Sequence, residues 1–111
     1  MKTLTELKRG DTRIFPFQLK ENNVAMDITG GTIFFTMKKS DKDSDALAVI
    51  SKATVCNGTT GTILLTHGDT VNLEERMYVC DFQFVSADNS LVITELATLK
   101  VINDVTIRVA I

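Results

Sequence analysis

Apolar and polar residues alternate along most of this chain, and a period of two is that of a strand with one face in a core. Thr12–Lys20 (TRIFPFQLK) gathers Phe15, Phe17 and Leu19 on one face and leaves Arg13, Gln18 and Lys20 for water. Pro16 lacks a ladder donor, which places this strand at an edge or a bulge. Val24–Ile28 is a short strand after the turn Glu21-Asn22-Asn23. Thr32–Lys39 (TIFFTMKK) points Ile33, Phe35 and Met37 inward and Thr32, Phe34, Thr36 and Lys38 outward. Ala46–Val55 and Thr62–Thr66 read as partner strands of a hairpin closed at Asn57-Gly58, residues that tolerate positive φ. Met77–Val85 (MYVCDFQFV) is the longest clean alternation, with Tyr78, Cys80, Phe82 and Phe84 on one face. Leu91–Val101 and Val105–Ile111 follow.

The segments between are turns. Asp27-Ile28-Thr29-Gly30-Gly31 carries glycines suited to left-handed backbone, and Ala87-Asp88-Asn89-Ser90 closes a hairpin. His67–Arg76 breaks the β pattern; Asp69 there can cap a helical turn near residues 69–75, with Val71 and Leu73 plugging the end of the core. Seven or eight short strands with turn signals between them predict an all-β, antiparallel sandwich. With no linker, repeat or low-complexity tract, residues 1–111 form one domain, and 1–9 form an extended N-terminal arm. Through Leu4 and Leu7 that arm either adds to a neighbour's sheet or packs onto its own domain.

Composition agrees. Of 111 residues, 34 are Thr, Val or Ile, which fit a pleated surface better than a helix. The net charge of −2 gives no footprint for nucleic acid or anionic lipid. No apolar run reaches the length of a membrane span, and Met1–Gly10 contains no signal core. The expected location is therefore a cytoplasm, or an exported assembly. Cys56 and Cys80 are expected as free buried thiols in a reducing compartment.

Little in the sequence points to reaction chemistry. The single His67 lies in a loop without a nucleophile signature, and one His with two distant Cys falls short of a zinc set. Asp41-x-Asp43-x-Asp45 resembles the start of a calcium loop, but Ala46 stands where Gly is needed and Lys52 where a bidentate Glu is needed. A solvated loop explains those charges, and a looser cation site is the alternative. Arg9-Gly10-Asp11 spells an adhesion tripeptide, yet its Gly serves equally to turn the chain into the first strand. Gly30-Gly31 and Gly58-x-x-Gly61 lack the Lys and helix of a phosphate loop. No enzyme, cofactor or metal site is expected, and no small-molecule substrate.

Tyr78-x-Cys80 after a capped turn resembles the tyrosine corner of immunoglobulin-type sandwiches. The Trp of that fold is missing, and Cys56 falls at a hairpin end rather than on the usual partner strand. The order of short motifs then resembles the immunoglobulin-like N-terminal domain of phage baseplate upper proteins, and related small tail and virion domains. The matching pieces are Arg9-Gly10-Asp11-Thr12, Asp27-Ile28-Thr29-Gly30-Gly31-Thr32, Asn57-Gly58 to Gly61-Thr62-Ile63, His67-Gly68-Asp69-Thr70, Tyr78-x-x-Asp81-Phe82, and a Thr94 strand ending in Asn103-Asp104-Val105-Thr106. Arg76-Met77 and Ala97 depart from the small residue and the glycine usual there. The resemblance implies a non-enzymatic virion building block that docks onto other virion proteins and self-associates, located in the host bacterial cytoplasm during assembly and then in the virion. A carbohydrate- or host-receptor-binding module is the alternative, though the chain has no Trp and one Tyr, which is assigned to the core.

Overall fold

A computed structural model describes residues 2–3, 6–40, 42–44 and 47–103. More than half of their backbone is strand and almost none is helix, as the β-branched composition favours. The strands are β1 (Lys2–Thr3), β2 (Leu7–Lys8), β3 (Arg13–Phe17), β4 (Lys20–Glu21), β5 (Val24–Ala25), β6 (Thr32–Lys38), β7 (Ile50–Val55), β8 (Gly61–Leu65), β9 (Arg76–Val85) and β10 (Val92–Ile102). One short helix, α1 (His67–Thr70), lies between β8 and β9. The fold is all-β.

Four long strands build the main sheet in the order β10-β9-β6-β7, all antiparallel. Alternation along each strand puts one residue set on a buried face: Ile33, Phe35 and Met37 of β6, and Tyr78, Cys80, Phe82 and Phe84 of β9. Ala97, Leu99 and Val101 of β10 continue it. The β3–β8 ribbon forms a separate sheet, pairing Arg13 with Leu65 through Phe17 with Gly61. Its Phe15 packs on Phe35 and Phe82, with ring centroids 5.7 and 5.9 Å apart, and its Phe17 stacks on Phe84 at 5.9 Å. Offset and edge-on rings at these separations contribute beyond their buried area. Among the described residues β3 has one partner strand, so Pro16 occupies the edge position its missing N–H requires.

Several expectations need correction. The turn after β7 is tight, with Asn57 and Thr60 bridged and Gly58 at φ 66°. Glycine at the first central position is the type II′ arrangement, one residue on from an Asn57-Gly58 turn. The strands it joins nevertheless part: β7 stays with β6, and β8 pairs with β3 rather than with β7. The strand begun at Ala46 starts only at Ile50. The helical turn covers 67–70 rather than 69–75, and Val71 is exposed while Leu73 is buried. The described residues hold ten strands: the two-residue pieces at 2–3, 7–8 and 20–21 escape a periodicity reading, and the short strand expected at Val24–Ile28 covers only Val24–Ala25.

Of the two alternatives for the N-terminal arm, its described residues take the second and pack onto their own domain. β1 and β2 lie along the molecule's own β10, in parallel, pairing Lys2 with Ala97 and Leu7 with Val101. Leu7 is fully buried. The sheet is therefore mixed rather than wholly antiparallel. Leu4 and the strand expected at 105–111 lie outside the described residues.

Candidate functional site

The end of the molecule around α1 holds a cluster of polar contacts. Thr66, extended at φ −86°, is the N-cap: its side chain accepts from the Asp69 amide, and Asp69 returns the bond to the Thr66 amide at 2.8 Å. This reciprocal capping box satisfies donors that a helix start leaves open. Asp69 was expected as the cap, and it is instead the third residue of the box. The pattern Thr66-x-x-Asp69 carried that signal, since Asp can stand in for the usual Glu. Lys52 Nζ lies 2.8 Å from Asp69 Oδ2. The lysine and the Thr66 amide together hold the Asp69 carboxyl below its ordinary value.

His67 Nδ1 is 2.6 Å from the Gly10 carbonyl, and Thr70 Oγ1 donates to the Asp11 carbonyl at 2.9 Å. These bonds dock α1 on the Arg9-Gly10-Asp11 turn. That turn is closed by the Asp11 amide on the Lys8 carbonyl at 3.0 Å, with Gly10 at φ 89°. The glycine is there for the left-handed backbone, as the turn reading requires.

Tyr78 makes the corner its sequence context suggested. Its Oη donates to the Glu74 carbonyl at 3.0 Å, four residues upstream, while the ring is fully buried. Arg76 covers the ring from outside with its guanidinium carbon 5.7 Å from the centroid. Burial raises the phenol's pKa above its ordinary value. Beside the corner is an open hollow of about 410 Å³ lined by Lys39, Val49, Asp69, Asn72, Leu73 and Glu74, among others. Its charges already pair with protein groups, Lys39 with Glu74 at 3.2 Å and Asp69 with Lys52.

Asp41 and Asp45 lie outside the described residues; of that run, the Asp43 carbonyl accepts from Lys38 Nζ at 3.1 Å and its amide donates to the Ser40 carbonyl at 3.1 Å. Among the described residues no three His, Cys, Asp or Glu side chains come together as a metal site. Cys56 and Cys80 are both free and buried. Burial, with a smaller push from Asp81, raises the Cys80 thiol to about 12.

The other notable surface is the outer face of the main sheet. The registers place Val55, Thr32, Val85 and Val92 in one row across β7, β6, β9 and β10. Ala53, Phe34, Gln83 and Thr94 form the next row, and Leu96 follows beside Asp81. Val55 is 67% exposed, Val92 55%, Leu96 53% and Phe34 41%. Phe34 was placed outward by alternation alone. Its apolar neighbours come from three other strands, and only the sheet order brings them to it. Among the described residues no helix is long and apolar enough to cross a membrane. Comparison with protein-family models, curated proteins and solved structures finds no match.

Proposed function

We propose that this chain is a non-enzymatic structural module of a phage or prophage virion, an immunoglobulin-like β-sandwich that works through protein–protein contacts in the tail, baseplate or head–tail region. The observation that carries the reading is the apolar outer face: Phe34, Val55 and Val92 stand exposed in adjacent rows of one sheet. A run of large apolar side chains on a sheet face marks an interaction surface more often than an idle one. Two further features support it. The Tyr78–Glu74 bond reproduces the corner of immunoglobulin-type sandwiches, and the β3–β8 ribbon packs face to face on the main sheet through its phenylalanines. The motif order from Arg9-Gly10-Asp11-Thr12 to Asn103-Asp104 supplies the link to virion proteins.

Its place of action is then the host cytoplasm during assembly and the particle afterwards. The test is incorporation. An epitope-tagged chain expressed in the phage-producing host is expected to co-sediment with purified particles, and Phe34→Glu with Val92→Glu is expected to reduce that share about tenfold or more. A chain absent from particles that binds glycans on an array overturns the reading in favour of the receptor-binding alternative.

A further inference from the structure

A strand whose backbone is open on one side can accept another strand, and proteins usually blunt such edges with Pro, Lys, bulges or a covering element. β3 carries Pro16 within it. β7 carries Lys52, whose ammonium is tied to Asp69 on α1. The far edge of β10 is covered at Ala97–Thr98 by β1 and at Val101–Ile102 by β2. Among the described residues no strand covers Val92–Leu96, and this stretch (VITEL) has neither Pro nor Lys.

The direction of its backbone groups follows from two bonds. Leu91 turns its carbonyl toward the β9 side, where the Ser86 amide meets it at 2.9 Å. Ile102 turns its carbonyl away from β9, to the Arg9 amide at 2.8 Å. The register between them is unbroken, so alternation points the amide and carbonyl of Val92 and Thr94 outward from the sheet edge.

We infer that Val92–Thr94 pairs with the same segment of a second copy, antiparallel about a two-fold axis at Ile93. Val92 then faces Thr94 of the other copy on both sides of the axis, exchanging about four backbone hydrogen bonds. Ile93 meets its own counterpart, and Glu95 faces Leu91, so no like charges oppose. A parallel, in-register pairing would set Glu95 beside Glu95. An antiparallel pairing centred on Thr94 would drive the incoming Val92 against Leu96, beside the Lys2–Ala97 contact. A second copy fits because each edge supplies what the other lacks, leaving a closed, isologous pair. The pairing also joins the two apolar outer faces, since Val92 belongs to both the edge and the exposed row. It deepens the assembly reading and rests on that reading for its purpose.

Sedimentation equilibrium of the full chain from micromolar to millimolar concentration is expected to show a reversible species of twice the chain's mass. Thr94→Pro removes an outward donor without touching the β9 ladder, and it is expected to be folded by circular dichroism and monomeric. Ile93→Lys and Ile93→Glu place like charges on the axis, and each alone is expected to be monomeric. An equimolar mixture of these two is expected to recover the dimer, which a merely structural role for Ile93 would not produce. A wild-type chain that stays monomeric throughout, or a dimer indifferent to all three substitutions, overturns the pairing. If that same chain still enters particles, the assembly reading stands without the pairing. A chain that dimerises through this edge but is absent from particles supports the pairing and sinks the assembly reading.

Discussion

Gly31 lies against the Phe84 ring so closely that a Cβ would come within 2.5 and 2.6 Å of its carbons, and within 3.1 Å of the Val85 carbonyl. Neither neighbour yields easily, because Phe84 is 2% exposed and stacked on Phe17. Gly31→Ala is therefore expected to lower stability by about 1–3 kcal/mol in urea denaturation, the usual cost of overpacking. At Gly61 a Cβ would meet Ile33 Cδ1 at 2.6 Å and Cys56 Sγ at 2.7 Å. Both are side-chain ends that can rotate, so Gly61→Ala is expected to cost less than Gly31→Ala. Tyr78→Phe keeps the buried ring and removes only the bond to the Glu74 carbonyl; the expected loss is about 1 kcal/mol in the same measurement. The sequence marked Tyr78 as a corner residue because its spacing from Cys80 and the preceding turn are local. It could not mark Gly31 as a packing glycine, since Phe84 is distant in the chain.

The capping box makes α1 sensitive to pH. Thr66→Ala is expected to cost about 1 kcal/mol, the usual value of an N-cap. Asp69 has a folded-state pKa held below its ordinary 3.8 by Lys52 first and the Thr66 amide next. A lowered carboxylate stabilises fully above the unfolded value and loses that contribution as pH falls through the folded one. Thermal melts between about pH 5 and about pH 2 should therefore drop steeply for the wild type and less steeply for Asp69→Asn. Asp88, brought to about 2 by the Ser90 and Ser86 side chains, has the same sign and leaves a residual slope in that variant. The existence of a helical turn here was legible, because HGDT interrupts the period of two. Its docking on the Gly10–Asp11 turn was not, since the partners are far apart in sequence.

For the whole molecule, the two thiols report on integrity. Cys56 is 2% exposed and Cys80 4%. Native protein is expected to react with a thiol reagent only as fast as it opens, and unfolded protein to react at both positions at once. Burial also raises the pKa of Cys56, Cys80 and Tyr78, so the native state holds protons that the unfolded chain releases. Stability is then retained up to the unfolded thiol value near 9 and falls as pH rises from there toward the folded Cys80 value of about 12. Melting temperatures taken from about pH 8 to about pH 11 should decline, and Cys80→Ala should soften the decline. Rapid labelling of folded protein would contradict the inward packing of β9.

What the residues alone determined is the set of long strands and the face each turns to the core. Phe15, Phe17, Ile33, Phe35, Met37, Tyr78, Cys80, Phe82 and Phe84 are all buried, as alternation requires. That information is local: neighbouring side chains on a strand point opposite ways whatever the strand pairs with. Which strands pair was decided only in three dimensions. The backbone groups that join strands are the same at every residue, so β8 left its chain neighbour for β3, where Phe15 and Phe17 met the main sheet's rings. The same freedom laid the N-terminal strands along β10, covering it at residues 97–98 and 101–102. Among the described residues, the edge without a partner strand at Val92 and Thr94, and the apolar row that runs out to it, exist only as consequences of that choice.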